Sequence, residues 1–527
     1  MTMKRQLTTL TLFCALGASA QAGTFTIDPT PGAADFVGLT EALGSGLLDD
    51  GDTLLVAPGT YFGSYVIDLE LRLIATGGPS VTTLNASGAA TVLTIDAPAL
   101  VRGFTITGGG GPGSAGGILV TSTERATIEQ NVIHDNHPLG DGGIPAGGIL
   151  VDAYAAALVR DNSIHSNTSL SVGGVFGGPF ATLDLVRNRI MGNGGAGTIN
   201  GGVLFGASGR ILCNQITGNH GSAVGGLSIP GGMGPTPFGS TVDVINNTIY
   251  GNVGSAPIGS VGGVYLDDGG MVTMAGCSVF ANFGATSSGI MASADFTTLP
   301  VPGSLTMSFS HLDVPPVGLP PGTAMLPMGA PPGFVAPAAA TLAGPTTAGD
   351  FELLPTSIYV DAGLDAAYPA GFAPGDLSGG WRFLGAAVDV GAEELGEGCV
   401  PPLPVGIGKV CSAGTRTTLT SSGEPSVSSG TFSMTVTGAV PGKPGLLFYG
   451  PGEDWRPLGE HWLYVAGPIQ RLDVQTLDGA GSTTYDPLPE PVAAGTTRMY
   501  QYWSRDPDHA DGSGVTLSNG ILVTFCE

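Results

Sequence analysis

Four of the seven histidines fall in one short-spaced group. His134 and His165 end matching Asn-x-Ile-His phrases, Asp135 and His137 follow the first, and His220 repeats the place of His137 three copies later. Stacked imidazoles of that kind suit a metal ion, and polar residues on a solvated edge are the competing reading. Asp267-Asp268 offers the two carboxylates an inverting glycosidase needs, against an exposed acidic turn. The stretch Asp506-Pro507-Asp508-His509-Ala510-Asp511-Gly512 crowds three carboxylates without EF-hand spacing, so calcium is the one cofactor these residues suggest. Trp455, Trp462 and Trp503 lie near several tyrosines and suit either a sugar-stacking platform or a packed core. Gly108 to Gly113 spells Gly-x-Gly-x-x-Gly, but Pro112 and the lack of a following helical pattern make it a turn. No Gly-x-Ser-x-Gly elbow occurs.

The elements that must position these residues come from a repeat. An Asn, an aliphatic residue two positions on and a second Asn five positions on recur: first Asn131, Ile133 and Asn136, then Asn162, Ile164 and Asn167, then Asn188, Ile190 and Asn193. The phrase returns as Asn214, Ile216 and Asn219 and as Asn247, Ile249 and Asn252. A sixth copy, Cys277, Val279 and Asn282, keeps the frame with its first Asn replaced. An apolar residue stands three positions before each copy, from Ile128 to Met274. Gly-Gly-aliphatic strands open at Gly116, Gly147, Gly173, Gly201, Gly225 and Gly262, with Ser288-Gly289-Ile290 as a degenerate seventh. Each period holds about three short strands, too few to bury an apolar face alone. Coiling the chain pairs each strand with its counterpart one period later, about 4.8 Å away. The fold class expected is therefore all-β: a right-handed parallel β-helix, a three-sheet solenoid, with aliphatic columns inside. The two asparagine columns are expected to sit at bends, to tolerate unusual backbone angles there, and to bond up and down the stack.

Lys4 and Arg5, the apolar run Leu7 to Ala18 and Ala20-Gln21-Ala22 read as an export signal over residues 1–22. No later apolar run is long enough for a membrane span, so no membrane insertion is expected. The formal charge of −25 becomes −27 without the two signal cations, and no Lys lies between Lys4 and Lys409. Such a surface repels phosphates, which excludes nucleic acid as a partner, and it disfavours acidic polysaccharides unless divalent cations bridge them. Of the later cysteines, Cys411 and Cys526 would tie the start of a terminal domain to its end, with Cys399 a competing partner.

The repeat resembles the pectate-lyase-like, right-handed parallel β-helix superfamily over residues 23–395. The phrase from Gly51 to Tyr61 is similar to the opening of its first coil. The segments Gly349-Asp350-Phe351-Glu352-Leu353, Val360-Asp361-Ala362-Gly363, Gly379-Gly380-Trp381-Arg382 and Asp389-Val390-Gly391-Ala392-Glu393 resemble a choice-of-anchor Q terminal region, with Ile358 where that pattern has Pro. From about Glu397 alternating strands take over, and residues 397–527 are expected to form a C-terminal β-sandwich. Leu446-Leu447-Phe448-Tyr449-Gly450 and Tyr500-Gln501-Tyr502-Trp503-Ser504-Arg505-Asp506-Pro507 resemble a module of secreted planctomycete proteins. That resemblance implies a second cysteine pair whose places Glu424 and Tyr464 take here.

In the related enzymes catalysis uses the outer face of the sheet that the Gly-Gly strands form here. Alternation turns Leu119, Leu150, Phe176, Leu204, Ser228, Tyr265 and Met291 outward, a stripe with neither calcium carboxylates nor a basic residue. Asp152 and Asp267 lie two positions further on, three periods apart by the repeat count, too far to share a metal. The candidate ligand-binding residues are Tyr265, Phe176, Asp152, Asp267 and Asp268, and Asp506, Asp508 and Asp511 are the candidate metal ligands. The reading favoured is an exported, secreted or surface, non-catalytic protein whose partner is a polysaccharide or cell-envelope glycan. The alternative is a divergent polysaccharide lyase or glycoside hydrolase of the same fold.

Overall fold

The computed structural model describes residues 23–526 except 141–142, 196, 231–240, 268–270, 293–303, 309, 313–330, 369–374, 381, 397–398, 429, 459–460 and 487–491. The expected signal, residues 1–22, and Asp268 lie outside the described residues.

Each coil visits three sheets in turn. Ile118–Val120 joins sheet C, Arg125–Glu129 joins sheet A and Val132–His134 joins sheet B, before the chain returns to sheet C at Ile149–Val151. Among the described residues sheet A has eleven strands, sheet B ten and sheet C nine. The strands pair in parallel and in the register the repeat requires. Ile133 lies opposite Ile164, then Ile190, Ile216, Ile249 and Val279 follow in the same column. Ile128, Val159, Leu185, Ile211, Val244 and Met274 form a second column. All are buried in one continuous lumen. Each fully buried aliphatic side chain contributes about 1.5–3 kcal/mol of transfer free energy, which drives the coiling. The paired glycines answer to close approach: a Cβ on Gly117 would lie 2.5 Å from the Gly148 carbonyl oxygen.

Both asparagine columns are buried and continuous. In the first, the Asn162 Oδ1 accepts the Asn131 backbone N–H at 3.0 Å and its Nδ2 at 3.1 Å, and Asn188, Asn214 and Asn247 continue the chain. The second column runs through Asn136, Asn167, Asn193, Asn219, Asn252 and Asn282 in the same manner. There Asn219 Oδ1 accepts the Asn193 N–H at 2.9 Å, and Asn252 Oδ1 accepts the Asn219 N–H at 3.0 Å.

One detail corrects the expectation for these columns. The ladder asparagines do not themselves adopt left-handed backbone; the residue before each of them does. In the first column this is Gln130 (φ 55°), Asp161 (φ 57°), Arg187 (φ 52°) and Cys213 (φ 51°). In the second it is Asp135 (φ 52°) and Ser166 (φ 55°), then Gly218 (φ 61°) before Asn219 and Gly251 (φ 66°) before Asn252. The asparagine closes the bend by hydrogen bonding across coils, a task that extended or right-handed backbone serves as well.

The helix Leu39–Gly44 covers the first coil, with Leu39 and Ala42 buried in the lumen cluster. At the other end the chain turns back along the outside. Phe334–Ala336 pairs antiparallel with Asp350–Leu353, and the Thr346 N–H donates to the Gly218 carbonyl at 2.9 Å. Tyr250, Phe334, Phe351, Tyr359 and Val390 pack together there. The Tyr359 hydroxyl lies 2.6 Å from Ser278 Oγ and 2.8 Å from His311 Nδ1, all three buried.

The terminal module is a β-sandwich. Its larger sheet contains Leu403–Val405, Val515–Thr524, Thr497–Arg505, Pro444–Gly450 and Gln470–Arg471, and its smaller sheet Thr418–Ser422, Ser433–Thr437 and Thr483–Tyr485. Leu419, Met434 and Val436 meet Leu447, Tyr500, Tyr502 and Ile521 between them. The disulfide joins Cys399 to Cys526, with Cα atoms 5.3 Å apart, and Cys411 is a buried free thiol. The Cys411–Cys526 pairing is thus corrected: Cys411 Sγ instead lies 3.3 Å from Thr415 Oγ1, while the partner, Cys399, precedes the module's first strand, Leu403–Val405. No helix among the described residues is long and apolar enough to cross a membrane.

Candidate functional site

The outward face of sheet A carries two charged columns. One runs Ile74, Arg102, Glu129, Arg160, Val186 and Leu212; the other runs Arg72, Leu100, Thr127, Leu158, Asp184, Arg210 and Asp243. Stacked coils bring Glu129 between two guanidiniums, 3.8 Å from Arg102 and 2.6 Å from Arg160. Arg125 pairs with Asp184 two coils on, and Arg187 grips Asp161 through Nε (2.7 Å) and Nη2 (2.9 Å). Opposite charges on successive coils compensate one another at the coil spacing, which keeps a parallel stack from repelling itself.

The terminal module docks over the first part of this face. Arg102 Nη2 lies 2.9 Å from Glu453 Oε1, and the Arg72 guanidinium sits over the Trp462 ring, 5.4 Å from its centroid. Two adjoining cavities remain in the seam. One of about 370 Å³ is lined by Glu70, Arg72, Lys409, Arg416, Trp462 and His509 among others. The second, about 430 Å³, is lined by Arg102, Glu124, Arg125, Glu129 and Arg160 and shares Glu70 and Arg72 with the first. Six of the 17 cations of this acidic chain line one cleft.

The corner from sheet C into sheet A carries an aromatic pair. Arg125 pairs in register with Ala156, and Ala156 with Thr182. Two residues before each of those partners, Tyr154 and Phe180 occupy the corner from sheet C into sheet A. Their rings stack at 5.1 Å and 13°, with Tyr154 64% and Phe180 42% exposed. Both hold left-handed backbone, φ 65° and 63°. A residue with a Cβ pays about 1–2 kcal/mol there. Asp152, exposed, precedes Tyr154 in the same turn.

The stripe expected to carry ligand behaves differently. Leu150, Phe176, Leu204 and Ser228 are at most 7% exposed and, apart from Ser228, form an apolar cluster with Ala115, Ala146 and Val172 on the neighbouring column. Phe176 is therefore corrected from ligand-binding residue to packed side chain. Tyr265 and Asp267 are half-buried. The register separates Asp152 from Asp267 by four strand steps rather than three, as the Gly-Gly openings from Gly147 to Gly262 also count, so the structure does not bring them together.

The three carboxylates of the 506–511 loop do not form a cation cage. Asp506 is fully buried, with its Oδ2 accepting the Ser412 N–H at 2.8 Å. Asp511 is taken by Lys409 Nζ at 2.6 Å and His509 Nδ1 at 2.9 Å, while Asp508 is exposed. Burial pushes the Asp511 carboxyl up, but the Lys409 and Ser513 hydrogen bonds outweigh it and hold it well below the ordinary carboxylate range. His134 and His165 do stack, at 5.1 Å and 1°. Burial, then the neighbouring His134, lowers the His165 pKa. The one convergent trio of ligand-type side chains among the described residues is Cys399, Glu424 and Cys526, whose sulfurs are already joined. His220 is buried, not at a solvated edge, and neither ring nitrogen has a hydrogen-bond partner among the described residues.

The cleft and the aromatic corner were missed from sequence, yet both had a signal. Glu129 and Arg160 stand two positions before a ladder asparagine, and Tyr154 and Phe180 stand five positions after Ile149 and Val175.

None of the curated proteins compared with the chain matches it. Among solved structures, pectate lyase Pel9A is similar at 14% identity and a TM-score of 0.36, covering 72% of this chain and 97% of its own. Pectin methylesterase PemA from Erwinia chrysanthemi gives 11% identity and a TM-score of 0.30, covering 58% and 92%. The enzymatically active domain of bacteriophage CBA120 tailspike protein 4 gives 13% identity and a TM-score of 0.21, covering 90% and 64%. Residues 81–298 match the family model described as a right handed beta helix region, so the stretch that builds the central coils carries the sequence pattern of that repeat as well as its shape.

Proposed function

We propose that this chain is an exported, non-catalytic β-helix protein that holds a polysaccharide or cell-envelope glycan in the cleft between sheet A and the terminal module. The observation that carries the reading is the cleft itself, in which paired guanidiniums and carboxylates flank Trp462, with the exposed Tyr154–Phe180 pair at the turns leading into the strand of Arg160 and the next one. Ion-paired groups of both signs offer fixed donors and acceptors to sugar hydroxyls, which suits a hydroxyl-rich ligand better than a run of like charge. An exposed ring held at a backbone cost is the feature expected of a binding surface. The same pairing supports a non-catalytic role, since Glu129 bridges two arginines and Asp184 answers Arg125.

Retention of the mature protein on immobilised neutral polysaccharides tests this. Tyr154→Ala and Arg125→Ala are expected to weaken retention at least severalfold while leaving the circular dichroism spectrum unchanged. Retention equal to wild type in both variants would remove the cleft from the reading.

A further inference from the structure

The larger sheet of the terminal module has two faces, and only one is fully covered. Leu447, Tyr500 and Tyr502 point into the sandwich. Leu446, Trp503 and Leu517 lie opposite one another in register on the other face. The hairpin of Glu453–Leu458 and His461–Val465 closes one end of that face. It is pinned there by Gln501, whose Nε2 donates to the Trp462 carbonyl at 2.7 Å and whose Oε1 accepts the Tyr464 N–H at 3.0 Å. Beyond it lies a cleft of about 400 Å³ with almost wholly apolar walls. Leu458 and Ile469 stand exposed at its rim, 48% and 37%. Among the described residues its one charged lining residue is Arg471, on the strand opposite Phe448. Arg471 is exposed and has no ion-pair partner among the described residues.

Cavities of this size with apolar walls and one polar anchor suit small amphiphiles. The Arg471 guanidinium, with no ion-pair partner among the described residues, gives an anionic head a local counter-charge at the mouth of this otherwise acidic chain. We propose that this cleft binds a single-chain fatty carboxylate, with its alkyl chain against Trp503 and its carboxylate at Arg471. Leu517 lines both this cleft and the first seam cavity, but the proposal does not rest on the glycan reading.

Decanoate titrated into the mature full-length protein is expected to change Trp503 fluorescence saturably, and Trp503→Phe is expected to abolish that change. Binding should tighten roughly fifteenfold from octanoate to decanoate, from the burial of two methylenes. Arg471→Gln should weaken decanoate about threefold to fivefold, as for an exposed ion pair, and leave decyl maltoside unaffected. The double variant Leu458→Gln/Ile469→Gln, altering exposed positions, should lose both ligands with the fold intact. Equal binding of octanoate and decanoate, or an Arg471→Gln variant that binds like wild type, would overturn the proposal. So would a wild-type dimer that the double variant makes monomeric, because a second copy would then be the occupant.

Discussion

Asn193→Ala removes one rung of the second asparagine column at a site with no solvent access. In the wild type, Asn193 Oδ1 accepts the Asn167 backbone N–H at 3.1 Å and its Nδ2 at 3.0 Å, and Asn193 Nδ2 donates to the Ile164 carbonyl at 2.8 Å. Alanine leaves two buried donors on Asn167 without that acceptor and takes one donor from Ile164. Each orphaned buried group costs about 1–3 kcal/mol, so a loss of about 2–5 kcal/mol is expected. Urea unfolding followed by far-ultraviolet circular dichroism reads the loss, and hydrogen exchange at the Asn167 amide shows where it falls. The chain also contains the reverse experiment. At Cys277 the first column is interrupted, and the Asn247 N–H meets Sγ at 3.5 Å instead of an amide oxygen. Cys277→Asn should restore the rung and stabilise by about 1 kcal/mol. An Asn193→Ala loss below about 0.5 kcal/mol, with unchanged exchange at Asn167, would refute the claim that the ladder holds the coils in register.

Tyr359→Phe should break the buried Ser278–Tyr359–His311 chain and speed proteolysis within residues 331–395 before the coils are cut, which limited digestion followed by mass spectrometry reads. Burial, reinforced by Asp376, raises Glu393 from 4.5 to about 7. The folded state then binds more protons than the unfolded between those values, and stability should fall as pH rises through that window. Glu393→Gln should reduce the fall in melting temperature measured from pH 5 to 7, leaving the part due to Glu394, which burial pushes up to about 8. Peptide mapping without reduction should recover Cys399 linked to Cys526, and the Cys399→Ser/Cys526→Ser variant should lose about 2–4 kcal/mol in the module's unfolding.

The coil register was legible because a column leaves the same residue at the same place in every period, as Ile133, Ile164 and Ile190 do. The bend geometry was only half legible. Asparagine marks the hydrogen bond, as Asn219 and Asn252 do, whereas the left-handed residue before it ranges from Gln130 and Arg187 to Gly218 and has no common type. Alternation correctly turned Phe176 away from the lumen, but whether an outward row stays open depends on its neighbours, and Ala146 and Val172 close this one. The site lay beyond the repeat's reach for a further reason. Its second wall is the terminal module, and nothing in the spacing of Arg102 or Arg72 announces Glu453 or Trp462 from more than 300 residues away.

Whether the cleft holds a sugar chain or cuts one is decided most directly by following polymer ends. The mature protein would be incubated for many hours with a panel of polysaccharides and calcium while bound polymer and newly formed ends are measured together. A binding role predicts saturable association with at least one polymer and no growth of reducing or unsaturated ends over a protein-free control. Ends that accumulate steadily in proportion to protein concentration would contradict it.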